Sequence, residues 1–170
     1  MILLGIGSNL QSSFGDRFKN LELAMKYINQ SKIHIISKSS FYQTPSYPDK
    51  SKPKYINMVI SIETKLNPVE LASVIISVEE KLERKRSKKN DPRTCDIDIL
   101  DFNNQVIKFY FNNLTFYVPH KKLTVRNFVL FPIKELLPTW KHPETKEDID
   151  KLINNINDED KKSILKVNKY

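Results

Sequence analysis

Pro92-Arg93-Thr94-Cys95-Asp96-Ile97-Asp98-Ile99-Leu100 decides the fold and points to the chemistry. Isoleucines alternate with aspartates, the period of a strand, yet Asp is depleted in strands and two of them need a reason. Side chains at i and i+2 stand on one face of a strand, roughly 6.5 Å apart along it. Asp96 and Asp98 therefore share a face, and Ile97 and Ile99 enter the opposite one. Two carboxylates so placed repel unless a cation lies between them. Hard oxygen ligands without His or Cys suit Mg²⁺ better than zinc. A wet edge strand would also carry such a pair. The basic stretch upstream, Arg84, Lys85, Arg86, Lys88, Lys89 and Arg93, favours the metal, because it makes a place for a metal and a polyphosphate together.

Outward from this strand, the order of elements sets the architecture. Met1–Gly7 reads as a first strand, followed by a polar turn. Phe14, Phe18, Leu21, Met25 and Ile28 recur at helical spacing and give one apolar stripe. A second strand is expected over Ile33–Tyr42 and a third over Tyr55–Thr64. Between them lies a loop, Thr44–Lys54, whose Pro45, Pro48 and Pro53 deny it regular pairing. Asn67-Pro68-Val69-Glu70 is a helix start: Asn caps, Pro takes the first turn, and Glu favours the positive end. Leu71, Val74, Ile75, Val78 and Leu82 form that helix's buried stripe. Asp96–Phe102 is the next strand, and Asn103-Asn104 is expected to turn it into a hairpin. Asn112-Asn113 marks a second turn. A helix is expected from Val125 to Leu137, kinked or divided at Pro132, and a charged surface helix from Asp148 onward.

Strand-helix-strand-strand-helix-strand is the split βαβ order of a ferredoxin-like α+β fold, a mainly antiparallel sheet with helices packed on one face. The length of 170 residues, without repeat, linker or compositional break, predicts a single domain over 1–170. Charged residues at 28% and hydrophobic ones at 39% are a soluble, globular balance. No apolar run approaches the roughly 18 residues of a membrane span, so no membrane partner is expected. Cys95 is the only cysteine, which excludes an intrachain disulfide and fits a reducing cytoplasm. The net charge of +8 implies an anionic partner without choosing which.

Several further segments stand in a fixed order: Gly5-Ile6-Gly7-Ser8-Asn9-Leu10, Ser40-Phe41-Tyr42-Gln43-Thr44-Pro45, Tyr55-Ile56-Asn57, Val78-Glu79, Arg84-Lys85-Arg86, Asp91–Leu100, Val118-Pro119-His120 and Arg126-Asn127-Phe128. Together they resemble the hydroxymethyl-dihydropterin pyrophosphokinases, folate-pathway enzymes that move pyrophosphate from ATP onto a pterin alcohol. The resemblance implies an enzyme taking ATP and 6-hydroxymethyl-7,8-dihydropterin, with Asp96 and Asp98 binding two Mg²⁺ ions and Arg93 joining them in catalysis. It places Glu79, Arg86, Lys89, Arg93, Ile99, His120 and Arg126 at the nucleotide. Thr44, Pro45, Tyr47, Tyr55, Asn57 and Phe128 fall at the pterin, with Tyr55 and Phe128 stacking and Asn57 reading the ring edge. Nothing demands more than a monomer. Lys89-Asn90-Asp91 departs from the family's Arg-Trp-Gly, losing a bidentate fork and an aromatic cover. Both 44–54 and 84–92 are expected to close over substrates. A basic RNA-binding module of the same fold is the alternative; it lacks a ribonucleoprotein motif and leaves the Asp pair without a purpose. Another Mg²⁺-dependent phospho- or nucleotidyltransferase would keep the metal and lose the pterin.

Overall fold

The computed structural model describes residues 1–85 and 91–169, so Arg86, Lys88 and Lys89 of the basic stretch lie outside the described residues. The chain runs β1 (Ile2–Ser8), α1 (Arg17–Asn29), β2 (Ile33–Lys38), β3 (Phe41–Thr44), β4 (Tyr55–Thr64), α2 (Pro68–Lys81) and β5 (Asp96–Phe102). It continues with β6 (Ile107–Phe111), β7 (Leu114–Val118), a 3₁₀ turn (Leu123–Val125), α3 (Asn127–Leu136), α4 (Ile149–Asn154), α5 (Asp158–Ser163) and β8 (Leu165–Val167). The main sheet has the order β5–β1–β4–β3–β8, with β2 also on β4, and its pairings are antiparallel. This is the ferredoxin-like α+β arrangement that the element order predicts.

The strongest start signal holds in full. Asn67 accepts from the backbone of Val69 and Glu70, and Glu70 returns a bond to the Asn67 backbone, a complete capping box with Pro68 in the first turn. Leu71, Ile75, Val78 and Leu82 then bury against the sheet beside Leu21, Ala24 and Ile28 of α1.

Six expectations need correction. Phe14 is outside α1 and exposed, because Asp16 caps the helix by accepting from Lys19 N at 2.9 Å. The strand over 33–42 is broken: Ser39 donates from its backbone to Val59 O and accepts from Val59 N on its hydroxyl, so two short strands share β4. Asn103 and Asn104 do make a turn in the left-handed region, closed by Gln105 N on Phe102 O. The chain beyond it does not pair with β5, whose outward Ile97 N–H is taken by Glu79; β6 instead forms its own hairpin with β7 through Asn112-Asn113. Pro132 sits inside a continuous α3, preceded by the 3₁₀ turn; burial of Val129, Leu130 and Ile133 outweighs the one lost helix bond.

The last two corrections belong together. Helices cover both faces of the sheet, because α3 and α4 form a second core on Leu3, Val59 and Leu100. The tail is therefore more than one surface helix: Ile149, Leu152 and Ile156 are buried there, the charged α5 stays on the surface, and β8 adds to the edge at β3. A bulge makes this core possible. Leu3 opposes Asp101 and Leu4 opposes Ile99, leaving Leu100 as the extra residue. Asp101 is thereby turned under the second layer, where it accepts from Trp140 Nε1 at 2.9 Å and from Asn104 N at 2.8 Å.

Candidate active site

α3 and α4 cover only part of their face of the sheet. At the other end a cross-strand row runs Asp96 (β5), Gly7 (β1), Asn57 (β4), Tyr42 (β3), each the register partner of the next. Directly opposed residues share a face, so Asp96 and Asn57 look out from the same surface with Gly7 between them. Asp98 lies on that face one step along, opposite Gly5. Gly7 is required by closeness: a Cβ there would fall 2.9 Å from Asn57 Oδ1. The result is a shallow floor with carboxylates on one side and an amide on the other.

Arginines surround the carboxylates. Arg93 Nη1 lies 3.0 Å from Asp96 Oδ2, Arg84 Nη1 2.7 Å from Asp96 Oδ1, and Arg126 Nη1 3.1 Å from Asp98 Oδ2. Both carboxylates keep access to solvent, with side chains 28% and 34% exposed. Burial pushes the Asp96 carboxyl up, but Arg84, Arg93 and Arg126 outweigh it and hold it below the usual carboxylate range. Behind them Glu79, 2% exposed, pairs with Arg84 and accepts from Ile97 N at 2.8 Å. Glu79 thus caps the edge of β5 and steers Arg84 onto Asp96.

Beside this edge a cleft of about 360 Å³ runs between α2 and β7, lined by Ile75, Glu79, Asp98, Ile99, Tyr117 and His120, among others. His120 Nδ1 accepts from Lys122 N at 3.0 Å, which fixes the ring. Burial pushes its imidazole down, against the pull of Asp98, so it stands neutral at the cleft.

Toward the opposite side, Asn57 Nδ2 donates to Thr44 Oγ1 at 3.0 Å, and the Tyr55 ring lies next to Gly7. Burial raises the Tyr55 hydroxyl pKa, so it remains protonated. Phe128, in the first turn of α3, stands under Arg126, whose guanidinium is 5.4 Å from the ring centre. Pro45 is half-buried at the loop entrance, whereas Tyr47 is 81% exposed and is not brought to the floor. Arg86 and Lys89 fall outside the described residues. Cys95 is buried, and burial holds its thiol far above the ordinary range, so it is packing rather than chemistry.

Sequence reasoning counted Arg84 only within the basic stretch that would receive a polyphosphate, and it proves to pair directly with Asp96. Asn9 was visible only as part of a motif. It accepts from Arg93 N at 2.8 Å and donates to Ser46 Oγ and Pro53 O, both at 3.1 Å. Asn9 therefore ties the 44–54 loop to the segment that carries Arg93. Lys52 and Asp91 add an ion pair at 3.6 Å between the same two segments.

A ferredoxin-like sheet whose open face sets arginine-bound carboxylates beside an amide and a phenol has the make-up of a site for a phosphorylated ligand beside a polar ring. Comparison with known proteins narrows this. The sequence pattern of 7,8-dihydro-6-hydroxymethylpterin-pyrophosphokinase (HPPK) matches residues 3–138, and the chain belongs to that family. It is 33% identical over 134 residues to the 2-amino-4-hydroxy-6-hydroxymethyldihydropteridine pyrophosphokinase of Haemophilus influenzae, covering 78% of this chain and 79% of that one. The mitochondrial folate synthesis bifunctional protein of Pisum sativum is 32% identical over 138 residues, but the match spans 81% of this chain and only 25% of the pea protein. The crystal structure of wild-type Plasmodium falciparum HPPK-DHPS shares the fold, with a TM-score of 0.70 at 17% identity, covering 90% of this chain and 43% of that one. Family membership makes the chain an ATP-dependent diphosphotransferase of folate synthesis that uses ATP as co-substrate.

Proposed function

We propose that this site transfers pyrophosphate from ATP to the hydroxymethyl group of 6-hydroxymethyl-7,8-dihydropterin, with Asp96 and Asp98 as ligands of two Mg²⁺ ions. The observation that carries the assignment of residues is the row Asp96–Gly7–Asn57, which sets carboxylates and a ring-reading amide on one sheet face. The donor set fits the metal: Asp96 and Asp98 offer partly exposed hard oxygens, and the neighbouring Cys95 thiol is buried away from them. Magnesium when bound neutralises charge on the phosphates and draws electrons from the bond that breaks. Asp96 and Asp98 would hold the ions, and Arg84, Arg93 and Arg126 beside them would fork phosphate oxygens. Asn57 and Thr44 orient the pterin edge, and Tyr55 and Phe128 hold its flat faces. Pro45 and Tyr47 close the same side when the 44–54 loop folds over the ring. Glu79, Ile99 and His120 line the nucleotide side; for Arg86 and Lys89, which lie outside the described residues, the family resemblance is the ground for a nucleotide-binding role. The pterin hydroxyl then attacks the β-phosphorus and yields its proton to solvent, while the bond from the β-phosphorus to the oxygen shared with the α-phosphate breaks and AMP leaves carrying that oxygen.

We further propose that residues 1–170 act as one domain and as a monomer. We assign nucleic acid no part, since a strand laid across this sheet face would meet the Asp96 and Asp98 carboxylates. The free, buried Cys95 supports a reducing cytoplasm; the pea relative is named mitochondrial. Among the described residues, no helix is long and apolar enough to cross a membrane. Phosphorus NMR of the products tests the reaction. Equimolar AMP and pterin diphosphate are expected, and ADP with a pterin monophosphate would overturn it.

A further inference from the structure

The family match ends at residue 138, yet the segment beyond it returns to the pterin side of the floor. Leaving the second core at Ile156, the chain forms α5 and then β8. β8 pairs with β3, setting Leu165 opposite Gln43 and Lys166 opposite Tyr42. Lys166 Nζ lies 3.2 Å from Glu135 Oε1, and Glu135 accepts from Tyr42 Oη at 2.6 Å, at the end of the Asp96–Gly7–Asn57–Tyr42 row. Glu159 of α5 pairs with Lys50 of the proline-rich loop.

The contact of most consequence is Asn127, between Arg126 and Phe128. Asn127 is buried, and its amide donates to Asp160 O at 2.6 Å and to Ser163 Oγ at 3.1 Å. Its Oδ1 accepts from Phe128 N at 2.6 Å. One side chain thus joins the C-terminal segment to the backbone that aims the Phe128 ring. Arg126 is held separately, since its carbonyl accepts from Val129 N and Leu130 N within α3.

We infer that residues 157–167 are a strap that positions the pterin wall, and that Asn127 is the positioning residue through which it acts. This rests on the placement of pterin at Phe128 proposed above. A rigid aromatic wall stacks a flat ring only while its angle is fixed, and the strap supplies that constraint from beyond the residues that the family pattern matches.

Two substitutions at one position separate the strap from a local cap. Asn127→Ala removes every bond; Asn127→Asp keeps the acceptor for Phe128 N but cannot donate to Asp160 O. Both variants are expected to weaken binding of 6-hydroxymethyl-dihydropterin by about tenfold, measured by calorimetry on the full chain, with ATP affinity changed less than about threefold. Ser163→Ala, a milder change that leaves the backbone acceptor, is expected to cost about threefold for the pterin alone. If Asn127→Asp binds pterin as wild type does while Asn127→Ala does not, the cap at Phe128 suffices and the strap is refuted. Equal loss of pterin and ATP, or a lowered melting temperature with both affinities intact, would also refute it. Phe128→Leu tests the underlying placement: unchanged pterin affinity there removes the wall itself, whereas a loss in Phe128→Leu without one in Asn127→Asp removes only the strap.

Discussion

Substituting Gly7 by Ala should leave the fold standing and take away the pterin. The new methyl would lie 2.9 Å from Asn57 Oδ1, closer than carbon and oxygen tolerate, so the amide has to give. Asn57 is 5% exposed and bonded to Thr44 Oγ1 at 3.0 Å, which leaves little room for retreat. A shift of a few tenths of an ångström spoils that bond and misaligns the amide with the ring edge. Two hydrogen bonds to the ring at about 1 kcal/mol each give a loss of about 2 kcal/mol, or roughly thirtyfold in affinity. Stability should move the other way. Gly7 is paired on both sides within β1 and is not among the residues with positive φ, so Ala is admissible there. Replacing Gly in a strand gains about 0.5 kcal/mol from the unfolded chain, against a similar loss at Thr44. Calorimetry with each ligand and a thermal melt decide it: pterin roughly thirtyfold weaker, ATP within about threefold, melting within about 2 °C of wild type. Unchanged pterin affinity would refute the floor between Asp96 and Asn57.

Asp98→Ala should lower turnover by about a thousandfold or more, through lost charge stabilisation at the phosphates. Its melting temperature should stay within about 3 °C, because a partly exposed ion pair adds little stability. Asp101→Ala should do the reverse, orphaning the buried Trp140 donor and freeing the part-buried Asn104 N–H at a cost of about 2–3 kcal/mol, read by urea denaturation with turnover per folded molecule retained. The pH dependence of stability has a sign that follows from His142. Burial pushes its imidazole below the ordinary value, Lys146 adds to this, and Glu144, Glu147 and Asp101 oppose it. The unfolded chain therefore binds the proton first as pH falls through about 6.5, and stability drops from there toward the lower native value. His142→Asn keeps an acceptor for Glu144 N and Thr145 N without titrating, so its denaturation midpoint should fall less between pH 7 and pH 5. An identical slope would assign the effect elsewhere.

Local chemistry made much of this legible. The Asp96–Phe102 strand, the Tyr55–Thr64 strand and the Asn67 cap depend on adjacent residues, and each stands where its period or cap places it. Asp96 and Asp98 do share a face, with arginines gathered on them. What escaped depends on contacts distant in sequence. The bulge at Leu100 has no sequence mark until Trp140 is seen to need Asp101 as its acceptor. β8 is three residues in a polar tail, invisible without the edge of β3 that it completes. Asn103-Asn104 gave the turn but not the partner, because Glu79 occupies the edge that a hairpin would use. Arg84 looked like one of several cations in the basic run, with nothing to single it out until Glu79 beneath it is seen to turn it inward.

The most direct measurement is electron paramagnetic resonance of Mn²⁺, standing in for magnesium, titrated into the protein with a non-hydrolysable ATP analogue. Wild type should bind the ion tightly only when the nucleotide is present, and Asp96→Asn and Asp98→Asn should each lose that binding while remaining folded. Mn²⁺ held as tightly by both variants as by wild type would contradict a carboxylate pair that grips the metal on the polyphosphate.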